Sequence, residues 1–213
     1  MRVVLGGALF LALFCSAELL ALRTALTPEH SRKLVHVASG ILAAALPIAM
    51  PFSEIALLAA LFVPFMVVSR RLGWFSAIHG VERSTLGEAY FPAGIGAAAL
   101  LFPNPMHYAY GVLVMAVSDA LASVVGGRYG RRGYRLVTAP KTYLGSAVFC
   151  LASAVLASVA LALAGFGLVA AVVLGCAVAA VVTVVEALLG GGLDNVALPA
   201  LGAAALSAAI AIG

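Results

Sequence analysis

Apolar residues gather in eight stretches along the chain, about 3–22, 34–50, 54–72, 87–102, 107–127, 143–164, 167–189 and 196–213, separated by short polar gaps. None alternates with a period of two, and most approach the ~20 apolar residues needed to cross a bilayer as a helix. In lipid only helices and closed barrels satisfy their own backbone. The pattern therefore predicts an all-α polytopic membrane bundle of about seven to eight transmembrane segments, forming one domain over 1–213. Gly87–Phe102 is short and carries Pro92, Gly94 and Gly96, which predicts a tilted, broken or re-entrant segment that lines a cavity or packs on protein. The first stretch passes Cys15-Ser16-Ala17 in the manner of a signal peptide. Its apolar run is nevertheless long enough to span, and Arg23, Arg32 and Lys33 follow it, so a retained helix is expected.

Charge sharpens this picture. Eleven of the twelve Lys and Arg residues fall in gaps that alternation places on one side of the membrane: Arg23, Arg32 and Lys33; Arg70, Arg71 and Arg83; Arg128, Arg131, Arg132, Arg135 and Lys141. The opposite connections, around Pro47–Ser53, Pro103–Met106 and Ala164–Gly167, are tight and nearly uncharged. The positive-inside rule then makes the basic face cytoplasmic and puts the N-terminus outside. With 64% hydrophobic and 9% charged residues and a mean hydropathy of +1.17, a soluble domain is excluded, since soluble chains carry roughly 25% charged residues. The net charge of +4 belongs to membrane topology and does not signal a nucleic-acid partner. Cys15, Cys150 and Cys176 lie in apolar runs without metal-ligand spacing, so neither a disulfide framework nor a zinc site is expected.

Four ionisable residues lie inside the apolar stretches: Glu18, His36, Asp119 and Glu186. At 1.5 Å per residue, Asp119 sits roughly 12 Å beneath the end of its helix at Gly127, and the others roughly 4.5–7.5 Å beneath the nearest polar gap. A lone charge in a bilayer costs about 2.5–3.5 kcal/mol or more. Any one of the four reads as an interhelical hydrogen bond. Four at similar depth under one face argue for a shared site. Ala116, Asp119, Ala120, Ser123 and Gly126 share a helix face of small and polar residues, which suits close helix packing or a narrow polar slot. Arg83-Ser84-Thr85-Leu86-Gly87-Glu88-Ala89-Tyr90-Phe91 echoes Lys141-Thr142-Tyr143-Leu144-Gly145-Ser146-Ala147-Val148-Phe149. A cation, a capping hydroxyl and a glycine at a helix start form an anion cradle.

Five stretches in order resemble the CTP-dependent lipid-alcohol kinases, the family of dolichol, phytol and farnesol kinases and the CTP-type diacylglycerol kinase. They are Arg32-Lys33-Leu34-Val35-His36; Glu82 through Glu88 with Phe91-Pro92; Ser118 through Gly130; Lys141 through Ser146; and Val185-Glu186 through Asp194-Asn195 to Pro199. Ser118 stands where the family commonly has glycine, and the loop Arg131–Ala139 is more basic than the family's. The resemblance implies phosphorylation of an isoprenoid alcohol at the cytoplasmic face, with CTP as donor and Mg²⁺ or another divalent cation as cofactor. It implies Asp119 and His36 as catalytic residues and Asp119, Glu186 and Asp194 as metal ligands. Nucleotide contacts fall to Arg32, Lys33, Arg83, Gly87, Glu88, Ser123, Arg128, Lys141, Thr142, Gly145, Ser146 and Asn195.

No GxxxxGK[ST] precedes Lys141-Thr142, so a soluble-type P-loop is not the nucleotide site. Arg131, Arg132 and Arg135 are expected to grip anionic lipid headgroups, and the sequence leaves oligomerisation open. Three other readings use the same residues. A diacylglycerol kinase differs only in acceptor. A cytidylyltransferase would make a CDP-lipid, although that family's long C-terminal signature is missing. A small proton-coupled transporter would need polar residues across the whole membrane, whereas here they stop in one half.

Overall fold

The computed structural model describes residues 1–24, 27–79, 87–137 and 140–213. Its order is α1 (Arg2–Arg23), α2 (Pro28–Ala45), α3 (Phe52–Arg71), a one-turn α4 (Ser76–His79), α5 (Gly87–Leu101), α6 (Pro105–Leu113), α7 (Asp119–Tyr129), β1 (Gly133–Tyr134), β2 (Lys141–Thr142), α8 (Tyr143–Leu163), α9 (Leu168–Leu188) and α10 (Leu193–Ile212). Among the described residues, α1, α3, α6 with α7, α8, α9 and α10 are each long and apolar enough to cross a membrane. The chain is thus a polytopic helical membrane bundle. Two further helices of some length, α2 and α5, are not among these. α2 carries Glu29, Arg32 and Lys33 within eighteen residues, and α5 has only fifteen.

Local chemistry sets the helix ends. α2 starts six residues before the apolar pattern does, because Thr27 accepts from the backbone N–H of His30 (3.4 Å) and Pro28 occupies the first helical position. Arg32, Lys33 and His36 consequently lie on regular helix. α5 runs unbroken through Pro92. Its glycines serve packing instead of a break: a Cβ on Gly94 would strike the carbonyl oxygen of Asn195 on α10, and one on Gly96 would come 3.1 Å from Ala59 of α3.

The same device seats α10 against α6, where a Cβ on Gly111 would strike the Pro199 carbonyl and one on Gly202 would come 3.1 Å from Gly111 Cα. Without a hydrophobic drive between helices in lipid, such small-residue contacts are what lets backbones approach. The α6–α7 span is the centre of the bundle: 56% of it is buried, against 17% of α1. Between α6 and α7 the chain makes one wide π-helical turn, Val114–Ser118, in which the N–H of Asp119 reaches back to the Val114 carbonyl. β1 and β2 form a short antiparallel ribbon, Gly133 opposite Thr142 and Tyr134 opposite Lys141. That ribbon fixes Lys141 immediately before α8.

The α6–α10 contact predicts a specific asymmetry. Gly111→Ala should lower stability by about 1–3 kcal/mol through overpacking against backbone. Gly167→Ala, at a position whose added Cβ meets nothing within 4 Å, should leave it unchanged. Thermal unfolding in detergent reads both.

Candidate active site

Glu186 is 3% exposed, one turn from the end of α9. A carboxylate there needs a partner, and Lys141 supplies it: Nζ donates to Oε1 of Glu186. Thr142 caps α8 by accepting from the N–H of Gly145 (3.1 Å). The cap packs against α7, since a Cβ on Gly126 would come 2.6 Å from the Thr142 hydroxyl. Ser146 meets the Tyr134 hydroxyl at 2.6 Å.

On the other side, Asn195 donates its side-chain amide to the carbonyl of Gly87 (3.0 Å), tying the starts of α10 and α5 together. Asp194 accepts from the N–H of Asn195 (3.1 Å). Arg32 and Lys33 lean on Glu29, at 2.9 and 3.4 Å. Glu88 sits 3.1 Å from His79 Nδ1 and 3.5 Å from Arg70.

These residues enclose one cavity of about 720 Å³. Arg32, Lys33, His36, Gly87, Glu88, Asp119, Ser123, Lys141, Thr142, Gly145, Ser146, Glu186, Asp194 and Asn195 all line it. Arg83 lies outside the described residues. Arg128 does not line the cavity. It follows Asp119 by nine residues, which at 100° per residue puts it on the opposite side of the helix, where its guanidinium lies 5.5 Å over the Tyr129 ring. Glu18 also belongs elsewhere. Its carboxylate accepts from the Ser76 hydroxyl (2.6 Å) and the Ala77 N–H (2.8 Å), so it caps α4.

Three features were not apparent in the sequence. The run Gly190-Gly191-Gly192 lines the cavity, with Gly191 and Gly192 at φ of 67° and 95°, a backbone path that glycine makes without strain. The triple glycine was the available signal. The π turn is the second. In a regular helix the N–H of Asp119 would bond the Met115 carbonyl, but here it goes to Val114. The Met115 carbonyl instead accepts from His36 Nε2 at 3.3 Å. A carbonyl only accepts, so Nε2 carries the proton and Nδ1 of a neutral His36 holds the lone pair. The third is an apolar limb of the same cavity, reaching between α1, α3 and α5.

The Asp119 carboxylate is shaped by burial and by the charges of Asp194, Lys141, Glu186 and Arg32 around it, with no side-chain hydrogen bond among those influences, and Oε2 of Glu186 is buried without a hydrogen-bond partner. No three His, Cys, Asp or Glu side chains among the described residues form a ready-made metal cage. Mg²⁺ rarely uses such a cage; it takes one or two carboxylates with waters and substrate phosphates. The Asp119 carboxylate and Oε2 of Glu186, with Asp194 nearby on the wall, fit that mode.

Burial pushes the Lys141 ammonium toward losing its proton. The hydrogen bond and charge of Glu186, with Asp119 and Asp194, more than offset this and hold its pKa above the ordinary lysine value. The stabilisation from the pair is therefore complete below the unfolded lysine pKa and is lost as pH rises through the folded one.

Lys141→Met should cost about 3–5 kcal/mol, because it strands a buried carboxylate. Lys141→Met with Glu186→Leu should recover most of that stability without recovering activity. Detergent-phase thermal melts and a phosphorylation assay on the same preparations separate the two effects.

No family model and no solved structure matches the chain. It is 32% identical over 202 residues to the phytol kinase of Synechocystis sp., a match covering 92% of this chain and 85% of that protein. A relationship of that identity and extent, on a chain whose motifs converge on one cavity, shows that the protein belongs to the lipid-alcohol kinase family of the phytol and polyprenol kinase type, enzymes that phosphorylate an alcohol.

Proposed function

We propose that this protein transfers the γ-phosphoryl group of CTP to the hydroxyl of an isoprenoid alcohol, of phytol, geranylgeraniol or polyprenol type, at the cytoplasmic face. The observation that carries this reading is the single cavity with two unlike ends. Its mouth holds Arg32, Lys33 and Lys141 beside the carboxylates of Asp119, Glu186 and Asp194, and its interior is walled by Phe, Leu and Ile. A charged phosphate donor and a hydrocarbon-tailed acceptor meet only where such ends join. The relative's name, phytol kinase, supports the acceptor class. The confinement of cations to one set of gaps supports the cytoplasmic side.

Phosphoryl transfer depends on positioning and charge compensation more than on covalent help from the protein. Lys141, Arg32 and Lys33 neutralise phosphate oxygens, and the capped start of α8 at Thr142–Gly145 presents backbone N–H groups to them. Asp119 and Glu186, with Asp194, would hold a divalent cation, which supplies charge compensation on the phosphates when bound. The acceptor hydroxyl lies at the boundary between the two ends, beside His36 and Asp119. His36 Nδ1 or the Asp119 carboxylate takes its proton as the oxygen attacks phosphorus, and CDP leaves with the electrons of the broken P–O bond. Apolar walls on the acceptor side keep water from competing for the phosphoryl group.

The test is a panel of phytol, geranylgeraniol, dolichol and diacylglycerol against CTP and ATP in vesicles with Mg²⁺. Label from the γ-phosphate of CTP should appear in an isoprenyl monophosphate. Label from the α-phosphate in lipid would mean cytidylyl transfer, and uptake without CTP would mean transport. Asp119→Asn should lower kcat about a hundredfold or more with thermal stability retained; full activity in that variant would remove Asp119 from the mechanism.

A further inference from the structure

The apolar limb has a definite depth and a thin wall. Along α2 it runs from His36 to Leu46, ten residues or roughly 15 Å of helix rise, and along α3 from Met66 to Ile55, again roughly 15 Å. It closes at the far end, where Leu46 is 5% and Ile55 0% exposed. Towards that end Phe52 meets Tyr108 edge to face (5.5 Å between centroids), and the Tyr108 hydroxyl donates to the Ala43 carbonyl (3.1 Å). With C–C bonds of about 1.5 Å, an extended chain filling this limb has on the order of a dozen main-chain carbons.

The side of the limb facing α1 is different. Leu58 and Phe62 line the limb, and both also line a shallow apolar groove on the outer surface between α1 and α3. One layer of side chains therefore separates the limb from the bilayer. Phe62 sits in a ring cluster with Phe10 and Phe14 of α1, at 5.5 and 6.2 Å between centroids. α1 itself is the least buried spanning helix, with only Gly6, Phe10 and Phe14 packed inward.

We propose that this limb is the channel for the acceptor's hydrocarbon tail and that Phe62, backed by Phe10 and Phe14, is the wall that limits how long a tail the enzyme takes. The proposal rests on the kinase reading above and narrows it to short isoprenoid alcohols. The limb is continuous with the polar mouth, so a tail lying in it brings its hydroxyl to His36 and Asp119. A longer tail has no room past Ile55 and Leu46 and must leave sideways. Phe62 blocks that exit. Removing its ring joins the limb to the outer groove and lets a long tail run out into the lipid.

The full chain in vesicles is assayed with farnesol, geranylgeraniol and a dolichol-length polyprenol at saturating CTP. The wild type should favour farnesol, whose main chain matches the limb, over the long polyprenol in kcat/KM by at least tenfold. Phe62→Ala should move that ratio about tenfold toward the polyprenol, and the milder Phe62→Leu should move it less in the same direction. Phe62→Trp should raise KM for farnesol. The KM for CTP in each variant reports that the mouth is still assembled. Equal use of long and short alcohols by the wild type, or a ratio unmoved in all three variants, overturns the channel proposal while leaving the kinase reading intact. Turnover of diacylglycerol alone overturns the kinase reading's acceptor class, and the tail channel falls with it.

Discussion

A buried carboxylate beneath a membrane surface must be compensated, and the pairing of Glu186 with Lys141 is the constraint around which this bundle is organised. Glu186 sits on α9, while Lys141 is held by a two-residue ribbon ahead of α8. Satisfying one charge therefore ties the start of α8 to the end of α9. The compensation is incomplete in chemical terms: Oε2 of Glu186 is buried without a hydrogen-bond partner. Arg32, Lys33 and Lys141 stand there beside Asp119, Glu186 and Asp194, a mixed-charge site that suits the polyphosphate and counter-ion proposed for it. Neither the carboxylates nor the lysine would be tolerated there singly.

Small residues make that arrangement compact. Gly94 and Gly111 let α10 settle backbone to backbone against α5 and α6, which carries Asp194 and Asn195 to the cavity edge. The π turn before Asp119 then re-aims the central helix, and the Met115 carbonyl holds His36 in one tautomer. Helix irregularities of this kind recur at functional sites because the widened turn presents backbone groups that a regular helix keeps to itself. Here one such carbonyl orients the imidazole on the cavity wall.

Much of this was legible in the chain. Apolar run length gave the spanning helices to within a few residues, because length and composition decide membrane crossing more strongly than local propensity. The motifs containing His36, Asp119, Lys141, Glu186 and Asp194 do share a cavity. Rotation about helix axes was less legible. Depth alone grouped Glu18 with the site, but its face turns it to the one-turn helix at Ser76. Arg128 stands in a matching motif yet points away from Asp119 by half a turn of helix. The capped start of α2 escaped notice because Thr27-Pro28 precedes a polar stretch with no apolar period. The apolar limb escaped for a different reason. Phe10, Phe14, Ile55 and Phe62 look like ordinary lipid-facing residues until α1 and α3 are set beside each other. Arg83 lies outside the described residues, so the echo it opens is visible only in its Gly87 end.

The central claim is that hydrocarbon and phosphate meet in one cavity, and photolabelling tests it most directly. A farnesol analogue with a diazirine at the end of its tail is irradiated with the protein in vesicles, and the adducts are mapped by mass spectrometry. The account predicts labels on the inward faces of α1, α2 and α3, near Phe10, Leu46, Ile55 and Leu58, reduced by excess geranylgeraniol. Labels spread over the lipid-facing sides of α8 and α9, indifferent to competitor, would contradict it.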